Sequence, residues 1–121
     1  MNQEQSQEAH PEYATGTITK IYYDTYDDGS ERIVFLVDVP ADLRPEFIDP
    51  DKPVRAEVYA RDRDWIKSKA KLASIDWHGT RREFHTIAGN QDEYIGREVR
   101  VAMWEWKGKP KATLCRPRGG S

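Results

Sequence analysis

The run Val99-Arg100-Val101-Ala102-Met103-Trp104-Glu105-Trp106 constrains this chain more than any other stretch. Side chains of a strand point alternately to its two faces, so Val99, Val101 and Met103 share one side. Arg100, Ala102, Trp104 and Trp106 share the other. The first set makes a core face, and the second aims two indoles and a guanidinium at water. Lys107-Gly108-Lys109-Pro110-Lys111 follows as a basic turn, and Ala112 to Arg116 can return as the partner strand. Aromatic platforms beside a basic hairpin tip suit a flat, anionic ligand.

The rest of the sequence has the same β character. Tyr13 to Tyr23 is rich in branched and aromatic residues, with Gly16 marking a bend or bulge near its start. Tyr26-Asp27-Asp28-Gly29-Ser30 is a turn, since Asp-Gly supplies positive φ. Glu31 to Val39 carries Ile33, Phe35, Val37 and Val39 on one face and Val34 and Leu36 on the other, which predicts a central strand covered on both sides. Pro40 ends it, and the proline-rich, acidic stretch to Pro53 predicts a loop. Val54 to Arg61 alternates, with Val54, Ala56, Val58 and Ala60 inward and Arg55, Glu57, Tyr59 and Arg61 outward.

Asp62 to Leu72 predicts a short helix with Ile66, Ala70 and Ala73 on its buried face. Leu72 to Trp77 and Arg81 to Ile87 predict a further hairpin around His78-Gly79-Thr80. The expectation is therefore an all-β domain, mainly β with one short helix. The architecture is a five- to six-stranded partly closed barrel of OB-like type, with an SH3-like barrel or small sandwich as the alternative. The domain is expected over residues 13–117, after an acidic, disordered arm over 1–12 and before a flexible tail over 118–121.

A chain of 121 residues is sized for one domain, and 37% apolar against 33% charged residues predicts a modest core. No run approaches the roughly 18 to 20 apolar residues of a membrane helix, and no hydrophobic leader opens the sequence. Cys115 is the single cysteine, which excludes an internal disulfide and fits a reducing, cytoplasmic setting. The net charge of -2 conceals an asymmetry. Residues 1–51 hold three basic and twelve acidic residues (net -9), and residues 52–121 hold sixteen basic and nine acidic (net +7). Such a division points to nucleic-acid contact, or to two halves that neutralise each other.

All four tryptophans, Trp65, Trp77, Trp104 and Trp106, lie in the positive half. Single-stranded nucleic acid is held by bases stacking on aromatics while cations follow the phosphates. The expected function is non-catalytic binding of single-stranded DNA or RNA. Trp104, Trp106 and Tyr59 are the stacking candidates, with Trp77 a further one, and Arg55, Arg61, Arg100, Lys107, Lys109 and Lys111 neutralise phosphates. Tryptophans are more often core residues than platforms, so the solvent exposure of Trp104 and Trp106 decides the matter.

The alternative is a protein-protein interaction module, a small regulator, inhibitor or assembly subunit, with the Trp pair as its hot spot. A homodimer, or a protein partner contacting the acidic N-terminal half, is compatible with the charge division. Asp24, Asp27 and Asp28 repel phosphate, so the first hairpin tip is not expected to bind it. His78, His85 and Asp76 lack compact metal-ligand spacing, and no metal or cofactor is expected. Cys115 with a distant histidine, and the carboxylate pairs Asp62/Asp64 and Asp92/Glu93, make no recognisable catalytic motif, so no enzyme is expected.

Overall fold

A 14-residue strand, β1 (Glu12–Thr25), joins the two halves of a sheet in the computed structural model, which describes residues 11–116. Its first half pairs antiparallel with β4 (Glu98–Trp106), from Glu12 opposite Met103 to Thr17 opposite Glu98. Its second half pairs antiparallel with β2 (Glu31–Asp38). The register slips between them. Ile18 faces Val37 and Lys20 faces Leu36, which leaves Thr19 as an extra residue. A bulge of this kind shifts the alternation by one, so Ile18 and Ile21 are both buried although three apart.

Gly16 sits where β1 passes beneath the end of β2. A Cβ there would lie 2.6 Å from the Val37 Cγ1 and 2.7 Å from the Asp38 carbonyl oxygen. No side chain fits without moving backbone. Gly16→Ala is therefore expected to destabilise the domain by about 1–3 kcal/mol, seen as a lower denaturation midpoint at unchanged m. A neutral substitution would contradict so close a crossing.

The sheet is completed by β3 (Val54–Ala60) and β5 (Lys109–Cys115), in the order β3-β2-β1-β4-β5 with every pair antiparallel. The expected mainly β domain is present, with five strands, the lower of the expected five to six. β2 is interior, as its two apolar faces predict. No ladder joins β3 to β5, so the sheet does not close. The two edges nonetheless approach, because the Thr113 hydroxyl donates to the Glu57 carbonyl at 2.8 Å.

Between β3 and β4 the chain is helical in short pieces. Asp62–Asp64 forms a 3-10 turn that leads into helix α1 (Trp65–Leu72). Its buried face differs from the expected one. Ile66 is 85% exposed, while Ser68 and Leu72 are buried and Trp65 packs on the core. Trp65 offers more area than Ile66, and the Ser68 hydroxyl finds the Tyr59 carbonyl at the end of β3, so the helix rotates to bury that side.

The hairpin expected over 72–87 is absent. Ala73–Ile75 and Arg81–Glu83 are 3-10 turns, and α2 (Thr86–Gly89) is a single helical turn. Leu72 and Ile75, then Phe84 and Ile87, are spaced by three, which is a helical rather than a strand period. Glu83 supports the turn by accepting from the Thr80 amide at 2.9 Å. These four residues are buried and close the core formed by Ile18, Ile33, Phe35, Val58, Val101 and Leu114. Glu12 already belongs to β1, so strand begins one residue ahead of the expected domain start, and residues 1–10 of the expected arm lie outside the described residues, as does the tail over 118–121. Among the described residues no helix is long and apolar enough to cross a membrane.

Candidate nucleic-acid interface

The alternation of β4 divides as its sequence predicts. Val99, Val101 and Met103 are buried, and Trp106 on the opposite face is 49% exposed, with Trp104 partly exposed beside it. Lys111 stands across the ladder from Trp104, and Lys109 across from Trp106. The hairpin turn consists of Lys107 and Gly108, both at positive φ (53° and 78°), the arrangement that matches the twist of a tight hairpin. It turns the Lys107 ammonium back over Trp106, 5.4 Å from the ring centre. Lys107, Lys109 and Lys111 form no ion pair among the described residues. The tip is thus an indole pair surrounded by uncommitted ammonium groups.

Arg55 and Tyr59 occupy the outward face of β3 and Arg61 follows its end, a different setting. Arg61 lies over the Tyr59 ring at 4.5 Å, and the Tyr59 hydroxyl donates to Glu57 at 2.9 Å. Burial, then the Glu57 carboxylate, holds the Tyr59 phenol above its ordinary range. Glu57 also meets Arg32 at 3.5 Å and Arg55 at 3.8 Å, and Arg32 pairs with Asp24. The hydrogen bond to Asp24 is the main reason the Arg32 guanidinium is held still more firmly charged than usual. Much of the positive charge on this face is therefore answered internally.

The two groups meet at the unclosed seam of the sheet. Arg55 and Glu57 from β3, and Pro110, Lys111 and Ala112 from β5, line one cleft of about 190 Å³. Trp104, Trp106, Arg100, Lys109 and Lys111 thus share the β4–β5 face, Lys107 sits at its tip and Arg55 lies across the seam, whereas Arg61 borders Asp28, Gly29 and Ser30 at the β1–β2 turn.

Trp77 is a correction. It is only 9% exposed and meets Trp65 edge-on, with ring centres 6.2 Å apart and planes at 82°. It is a core residue, placed there by the turn at Asp76, whose φ of 65° reverses the chain. No base can reach its face. Gly79 packs directly on it, since a Cβ would fall 2.5 Å from the Trp77 ring.

Two features of the face escape a strand-by-strand reading of the sequence. Tyr13 is exposed, and Arg100 lies over its ring at 4.1 Å. Outward alternation of Tyr13, Thr15 and Thr17 in β1 was the available signal. The second is the Glu57 network, whose members come from three strands. Elsewhere, His78 pairs with Asp76 at 3.2 Å and His85 lies against Tyr23. No group of three His, Cys, Asp or Glu side chains comes together among the described residues. Cys115 is half-buried and its thiol is pushed up, chiefly by burial.

Neither protein-family models nor curated proteins give a match to this chain.

Proposed function

We propose that this chain is a non-catalytic binder of single-stranded nucleic acid, DNA or RNA, with Trp104 and Trp106 as base platforms. Lys107, Lys109, Lys111 and Arg100 neutralise the phosphates. The single observation that carries the proposal is the outward pair of indoles on β4, opposite lysines that no carboxylate engages among the described residues. The strand order supports it. Five antiparallel strands in the order β3-β2-β1-β4-β5, a helix after β3 and edges that nearly meet fit the OB-type Greek-key barrel, whose sheet face and β1–β2 and β4–β5 loops hold oligonucleotides. Here the β4–β5 loop is basic and the β1–β2 loop acidic, so the strand is assigned to the β4–β5 end. Arg55 serves as its flank across the seam, while Arg61, beside the acidic β1–β2 turn, is left out of the track together with Tyr59.

Titration with oligo-dT is expected to quench tryptophan fluorescence at low salt. With about four phosphates neutralised, affinity falls about fifty-fold between about 50 and about 200 mM salt. No quenching at low salt would remove the proposal. A stable dimer that shields Trp106 and takes no oligonucleotide would establish the pair as a protein-interaction hot spot instead.

A further inference from the structure

We infer that the bound strand continues along β4, past the tryptophans, to a second base platform built from Tyr13 and Arg100; this extension rests on the nucleic-acid proposal above. The register puts Thr15 opposite Arg100 and Tyr13 opposite Ala102, so Tyr13, Arg100, Trp104 and Trp106 lie on one face of the sheet. Tyr13 is 50% exposed, and the Arg100 guanidinium carbon lies over it, 4.1 Å from the ring centre. Arg100 is steadied by donating to the Arg116 carbonyl at 3.2 Å. No carboxylate pairs with it among the described residues.

Beside this stack is a groove of about 690 Å³, bounded by Tyr13, Thr15, Ser74, Glu98 and Arg100. Aromatic rings and guanidinium planes both accept unstacked bases, and the groove gives one room to enter. From Arg100 to Trp106 the strand advances about 20 Å at about 3.3 Å per residue, a track that suits the short end of known footprints, about four nucleotides. Glu98, two residues beyond Arg100 on the same face, sets a carboxylate at the far end, where it repels phosphate and bounds the track.

The extension is tested by length. Trp104 and Trp106 report on the near end of the strand, so oligo-dT of three and of ten nucleotides is titrated against wild type, Tyr13→Ala, Tyr13→Phe and Arg100→Gln. Tyr13→Ala is expected to leave the three-nucleotide affinity unchanged and to weaken the ten-nucleotide affinity about tenfold. Tyr13→Phe restores it, because the ring and not the hydroxyl carries the stacking. Arg100→Gln removes a phosphate contact as well as the platform's guanidinium plane, so it weakens both lengths, the ten-nucleotide strand more than the three-nucleotide one. If both lengths quench tryptophan but Tyr13→Ala weakens neither, or both alike, the second platform is overturned while the Trp104/Trp106 site stands. If neither length quenches, the nucleic-acid proposal itself fails, and the extension with it.

Discussion

Replacing Trp104 and Trp106 together by alanine is expected to weaken oligo-dT binding by about thirtyfold or more. A base on an aromatic platform contributes about 1–3 kcal/mol, and two platforms on one face add to about 2–6 kcal/mol. The fold should survive the change. Trp106 stands at a hairpin tip and Trp104 is only partly covered, whereas the core beneath them is Val99, Val101 and Met103. Lys107→Asn is the companion variant, because asparagine tolerates the positive φ at that position and keeps the turn before Gly108. It removes one cation and should lower the salt slope by about 0.7. Wild-type affinity in the double tryptophan variant would contradict the platform role, whatever the lysines contribute.

Phe84→Ala is expected to cost about 3–5 kcal/mol of stability, the range for a fully buried aromatic truncated to a methyl group. Phe84 is fully buried and meets Trp65 edge-on, with ring centres 6.0 Å apart and planes at 83°. It joins α1 to the turns that follow, so its loss opens the same cluster that holds Trp77. Against a total of about 5–15 kcal/mol for a domain, such a loss is large enough to show plainly in a urea titration. A cost under about 1 kcal/mol would mean that the segment from Thr80 to Gly89 lies loosely on the sheet, against the packing described.

What was legible in the sequence was local. The alternation of β4, the two apolar faces of β2 and the Asp-Gly turn each require only neighbouring residues, and each is present. The face of β4 that carries Trp104 and Trp106 follows from the same parity. What failed depended on contacts between distant segments. Leu72 to Ile87 is too short in each apolar run to declare its period, and the helical spacing of Leu72/Ile75 and Phe84/Ile87 competes with the β-branched content around them. Trp77 was a platform candidate by composition alone, and only the fold sends it inward against Trp65. The orientation of α1 turned on Ser68 reaching Tyr59, a bond across nine residues. The Tyr13–Arg100 stack joins residues at opposite ends of the chain, and Glu57 gathers arginines from two strands, so neither has a local signature.

The most direct measurement is the indole N–H region of a proton–nitrogen NMR spectrum, in which four tryptophans give four signals. On adding oligo-dT at low salt, the signals of Trp104 and Trp106 should shift while those of the buried Trp77 and of Trp65, packed edge-on against it, stay in place. If none moves, or if only Trp65 and Trp77 respond, the outward indoles of β4 do not receive the bases.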